Sequence, residues 1–318
     1  MKSSANPTLG DTQTIHMLPR WVTRSEGQDT DSVAFTSGAA LAMLDVVLRN
    51  PSGTLPGGLL RDRMALDASV ACLKLENRHE TTSDIRDAVC LARPVRLGRA
   101  GDALGPAGDM FMAWRKLAQI NLTASGWKDR VTRLLPESVR ETARVSQPLC
   151  GSPITQAGEV LEVVLRQFPR QEAAALMLAD VALARAVGWD RPLPLLAAHI
   201  PRKIIREIAV GDGDPVQCVH RAMITGCDAV LRCAADFSRR ASKLHAVAPK
   251  LRAKGSDEAL ALFLSHDAVS PSGMLSPMIQ GTTVAMTGRA ARRLCDRLVD
   301  LGVVRELTGR STFRLYGV

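Results

Sequence analysis

A chain of 318 residues that is 46% apolar is long enough for two domains and a buried core, and its 3% aromatic content argues against a sheet sandwich. Ala and Leu dominate, which favours helices, because strands draw on β-branched and aromatic residues. The formal charge of +9 is uneven: residues 239–318 hold 13 Lys/Arg against six Asp/Glu, and the other 238 residues hold 28 against 26.

The N-terminal residues 1–30 are polar and carry Pro7, Gly10, Pro19 and Gly27. They read as a flexible arm with Trp21 as its anchor. Asp31 can cap a helix over 32–49 that Asn50-Pro51 ends, since a residue before proline leaves the helical region. Further helices are expected at about 59–76 and 83–91. The stretch "RPVRLGRAGDALGPAGD" reads as a connecting loop, followed by a helix over 110–119. Short helices are expected near 128–135 and 137–145.

Pro153 starts a helical hairpin, 154–168 and 171–187, split by Pro169. A helix over 194–206 follows. Asp214 can cap the longest helix, 215–247, with proline in its first position. A basic linker (249–255) leads to a helix over 257–265 capped by Ser256. Then come a proline- and glycine-bearing piece, a short helix near 276–280, a helix over 287–301, and two strand-like runs, "VVREL" and "TFRLY". Helix, helix, helix, hairpin is the order of a winged helix-turn-helix.

The stretch "TGRAARRLCDRLVDLGVV" carries the functional signal. At about 100° per residue, Arg289, Arg292, Arg293 and Arg297 share one face, and Leu294, Leu298 and Leu301 take another. Thr287 suits the N-cap and Gly302 the left-handed position after the last turn. Arginine can bond guanine edges or hold phosphates, and helix N-termini bind phosphate. Arg310 falls at the hairpin turn, where a wing meets DNA. Arg305 and Arg314 lie on the strands, with DNA or Asp296, Asp300 and Glu306 as partners. A basic amphipathic helix is also a common solvated surface. "GTTVAM" is longer than the turn of a compact helix-turn-helix, which puts docking geometry in question.

No phosphate-loop, nucleophile-elbow, zinc-protease or paired CxxC motif occurs. Gly101, Gly105 and Gly108 lack a framing strand or lysine. Cys218, His220, Cys227 and Cys233 diverge on one helix and read as core or surface thiols. His79-Glu80 and His266-Asp267 read as loop or helix-end residues, His199 as a semi-buried histidine, and Trp114 and Trp189 as core anchors. Arg239, Arg240 and Lys243 either extend a basic surface or end a solvated helix. No segment reaches the roughly 20 apolar residues of a membrane span, and the N-terminus lacks a signal-peptide core. Seven cysteines without such a peptide point to reduced thiols and a cytoplasmic protein.

The segment "MTGRAARRLCDRLVDLGVVRELTGRSTFRLYGV" resembles a C-terminal helix-turn-helix shared by two sets of rhizobial-type bacterial proteins. One is domain of unknown function family 1403, which the chain resembles along nearly its whole length, including "SGAALAMLDVVLR", "GPAGDMFMAWRKLA" and "VAPKLRAKG". The other is a set of Fic-related proteins, similar mainly at the C-terminal end. The first resemblance implies a fold and a DNA contact, and no activity. The HPFxxGNGR core of Fic enzymes is absent, so AMP transfer does not carry over.

The expectation is a mainly α protein: the arm (1–30), a multi-helix body (31–254) and a C-terminal winged helix-turn-helix (256–318) ending in a β-hairpin. Its expected role is duplex DNA binding, as a transcriptional or plasmid-associated regulator, through Thr287, Arg289, Arg292, Arg293, Arg297 and Arg310. The body would dimerise or sense an effector. No catalytic residue, cofactor, metal or membrane partner is assigned. The alternative is a helical interaction or structural protein whose winged domain contacts protein. An enzyme in the body would need a cleft gathering His and carboxylates from several helices.

Overall fold

A computed structural model describes residues 15–24, 29–49, 55–91, 104–144, 150–251 and 254–318. Most of the N-terminal arm, the Asn50-Pro51 stop and Gly101 lie outside the described residues. The protein is mainly α, a multi-helix body followed by a short C-terminal two-stranded hairpin. The body runs through α1 (Arg20–Thr23), α2 (Thr30–Arg49), α3 (Gly57–Leu75), α4 (Thr82–Cys90), α5 (Gly105–Gln119), α6 (Trp127–Thr132), α7 (Glu137–Arg144), α8 (Pro153–Gln167), α9 (Glu172–Val187), α10 (Arg202–Val210) and α11 (Pro215–Val247). α12 (Ser256–Phe263), α13 (Gly288–Asp300), β1 (Arg305–Glu306) and β2 (Tyr316–Gly317) follow.

α11 is the central helix and packs on α2, α8 and α3, while α8 pairs with α9 and α3 with α5. Asp214 caps it as expected, its carboxylate accepting the Gln217 N–H at 2.9 Å. α2 is capped by Asp29 rather than Asp31, through the Ser32 N–H at 2.8 Å. Length and composition alone would let α2 cross a membrane. In the fold it buries Val33, Ala40, Leu41 and Leu44, and Asp45 on it accepts the Trp189 indole N–H at 2.7 Å. One apolar cluster runs from Leu18 through the body to Leu275, Leu298 and Tyr316.

Ser256 is the first residue of α12 and not its cap; Gly255 takes the cap position with no side-chain bond. Beyond these caps, four expectations are corrected. Trp21 is exposed and stacks on Phe35; Leu18 and Val22 are the buried anchors of the arm. Gly105 and Gly108 open α5 instead of lying in a loop, and Gly108 lets the helix pass close to Ala88 of α4. The expected helix over 194–206 is shifted to α10, because residues 192–201 form a non-helical run, buried over 192–197 and carrying Pro192, Pro194 and Pro201. Asp180, itself buried on α9, accepts the Leu195 and Leu196 N–H groups at 3.1 and 3.3 Å and so replaces the helical bonds. Asp180→Ala should lower unfolding stability by about 1–3 kcal/mol in urea denaturation, because those donors lose their acceptor in the core. An unchanged midpoint would show that the run finds other partners.

The fourth concerns residues 276–280, which form no helix. Ser276 is extended, as a residue before proline is, and the helical turn lies earlier, as one wide turn over Pro271–Leu275. The chain then doubles back: the Ile279 N–H meets the Val284 carbonyl at 2.9 Å and the Met286 N–H meets that of Pro277 at 3.0 Å. Gly255 makes room for this loop. A Cβ there would sit 2.9 Å from both Ile279 and Val284, and its φ of +82° is one that glycine tolerates.

Candidate functional site

α13 begins as its sequence dictates. Thr287 accepts the Ala290 N–H through its hydroxyl at 3.2 Å, and Gly302 takes a φ of +66° after the last turn. Ala291, Leu294, Cys295 and Leu298 are buried, packed toward the 271–275 turn and β1. Arg289, Arg292, Arg293 and Arg297 are exposed, and among the described residues none of them has an ion-pair partner. The split between arginine and apolar faces is therefore present in three dimensions. Ala291 and Cys295 complete the buried face, while Leu301 is only half-buried.

β1 and β2 pair antiparallel, with Arg305 opposite Gly317 and Glu306 opposite Tyr316. Val269, just after α12, pairs with the other edge of Tyr316 through bonds of 2.8 and 3.0 Å. The Tyr316 hydroxyl reaches Asp296 on α13 at 3.5 Å. Arg310 turns back toward the body and forms an ion pair with Asp87 of α4. Arg314 donates to the Arg310 carbonyl at 2.9 Å. Partial burial, then the nearby charges of Arg240 and Arg63, push the Arg305 guanidinium below its ordinary value.

Behind this segment lies a buried ionic cluster that the sequence reading did not assign. Asp267, 3% exposed, accepts from Arg63 of α3 and from the Arg86 Nε of α4 at 2.6 Å. Its own N–H donates to Asp62 of α3 at 2.8 Å. The Arg115 Nε of α5 lies 2.6 Å from the other Asp62 oxygen, an ion contact too bent to be a hydrogen bond. Arg63 also stacks over Phe237 of α11 at 5.5 Å. α3 and α4 thus grip the chain just after α12, and Arg115 of α5 is set against Asp62 behind them. A sequence signal existed: Asp62 sits among Leu59, Leu60, Ala65, Leu66 and Ser69, all buried. A carboxylate on such a face needs a partner.

Burial pushes the Asp62 carboxyl up to about 6, against the pull of Arg115, and that of Asp67 to about 6 against Arg63. Burial and then the Arg115 charge push His266 down to about 4. The unfolded His266 binds a proton below its usual value of 6.5 while the folded one stays neutral, so its share of stability is lost as pH falls from 6.5 toward 4. Asp62 and Asp67 act in the opposite sense, favouring the fold as pH falls through 6. His266→Gln should therefore lose less stability than the parent between pH 6.5 and 4.5, by about 2 kcal/mol or less at pH 5. Parallel urea curves at both pH values read this; an equal loss in both proteins would contradict it.

The cluster lines a cavity of about 220 Å³ between α3, α4, α5 and the 266–280 segment. This gathers a histidine and carboxylates, as an enzyme in the body would require. Asp267 has both oxygens on arginines, and Asp62 has one oxygen on the Asp267 N–H and the other against Arg115, so these carboxylates serve to hold the segment after α12. The thiols of the long helix serve packing: burial raises Cys218 and Cys233 to about 12 and Cys227 higher still, and His220 contacts Ser37 of α2 at 2.6 Å. His199 is partly buried, which lowers its basicity. Trp114 and Trp189 are core residues.

No curated protein matches the chain. A family model described as a protein of unknown function (DUF1403) matches residues 6–318. That match takes in the body, the ionic cluster and the α13 segment alike, and the chain belongs to the DUF1403 family.

Proposed function

We propose that the protein binds duplex DNA through its C-terminal segment, as a transcriptional or plasmid-associated regulator acting in the cytoplasm. The observation that carries this reading is the face of α13, where Arg289, Arg292, Arg293 and Arg297 stand exposed along the helix from its capped N-terminus at Thr287 to its last turn. Unpaired guanidiniums on one helix face suit phosphates and base edges. The order α12, Val269 edge, single turn, α13, hairpin parallels a winged helix in which the wide turn at 271–275 stands for the second helix. Arg310 would join the interface only after leaving Asp87, so we assign it a smaller share than the four helix arginines.

A second reading, a winged segment used for protein contact, draws on that same Arg310–Asp87 pair, which turns the hairpin toward the body. Competition separates the two. A labelled duplex bound at low salt should be displaced by unlabelled duplex at concentrations where poly-glutamate leaves it bound. Equal displacement by both would favour an acidic protein partner.

A further inference from the structure

We propose that the cavity between α4, α5 and the 266–280 segment is a binding site for a small organic carboxylate. At about 220 Å³ it falls below the roughly 300–1,000 Å³ of sites for larger ligands, so its occupant is small. Arg86 and Arg115 line it, with side chains 17% and 12% exposed, and Nε is the nitrogen of each that lies closest to a carboxylate of the cluster. A guanidinium offers five N–H donors, and among the described residues the terminal nitrogens of these two have no acceptor. The protein carboxylates are matched by the arginines, so surplus donors are what an entering ligand meets.

His266 adds an acceptor. Its Nδ1 lies 2.8 Å from the Ser265 hydroxyl and 3.2 Å from the Leu262 carbonyl; in the tautomer that donates to that carbonyl, which only accepts, Nε2 keeps a lone pair. Phe111, Val89 and Met274 supply apolar wall for a carbon skeleton, which inorganic anions lack. A carboxylate with a short chain, and best with a hydroxyl for His266, fits this lining. Met274 belongs to the turn beneath α13, so the occupant would touch both the body and the segment that carries the arginine face. The site stands whether or not α13 binds duplex.

The test is thermal unfolding of the full chain with millimolar propionate, lactate or succinate, against propionamide and sulfate as controls. Lactate or propionate should raise Tm by roughly 2–4 °C, and the controls should not. Val89→Phe, which fills the cavity without touching the ion pairs, should abolish the rise while keeping the parental circular dichroism. Met112→Phe does the same from α5 if the first variant folds poorly. No rise with any of the three carboxylates, an equal rise with sulfate, or a rise that survives in the filled variant overturns the proposal.

Discussion

Replacing both Arg292 and Arg293 with alanine should weaken duplex binding at least about tenfold at low salt and reduce the salt slope by about 2, while leaving the fold intact. Both side chains are exposed on α13 and, among the described residues, hold no ion pair, so no buried partner is orphaned by their loss. The expected cost to stability is correspondingly within about 0.5 kcal/mol. Fluorescence anisotropy with a labelled duplex reads the binding, and circular dichroism the fold. Arg239 on the long helix is exposed but paired with Asp236, so Arg239→Ala serves as the control and should change binding little. Unchanged affinity in the double variant would remove α13 from the interface.

The largest expected stability effect is at Asp267. Asp267→Ala leaves Arg63 and Arg86 facing each other in a mostly buried place with no carboxylate between them, and frees the geometry that holds the segment after α12. Removing one partner of a buried ion pair costs about 3–5 kcal/mol, a large share of the roughly 5–15 kcal/mol that keeps a protein folded. Urea denaturation should show this as a midpoint drop. A loss below about 1 kcal/mol would mean that water solvates the two arginines and that the cluster is no clamp. The variant leaves the arginine face of α13 untouched, so any fall in duplex binding by still-folded protein would report on how that face is held.

Most of the body was legible because its signals are local. Asp214-Pro215 opens α11, Pro153 opens α8, and long Ala- and Leu-rich runs mark α3 and α9. The same holds for α13, where capping by Thr287 and the separation of arginines from leucines depend on neighbours within a turn or two. The misses depend on distant residues. Leu195 and Leu196 leave the helical state because Asp180 offers their N–H groups an acceptor from another helix. Gly255 looks like a linker glycine until Ile279 and Val284 close over it. His266-Asp267 reads as a helix end, which it is, but its role comes from Asp62, Arg63, Arg86 and Arg115 on three other elements. Local periodicity carries no information about which buried charges will meet.

The central claim, that the α13 face is a phosphate-binding surface, is tested most directly by the salt dependence of duplex binding to the full chain. Four arginine–phosphate contacts predict a slope of log K against log salt near about −3.6 between 50 and 200 mM. A slope near zero, or no binding at the lower salt, would contradict the account.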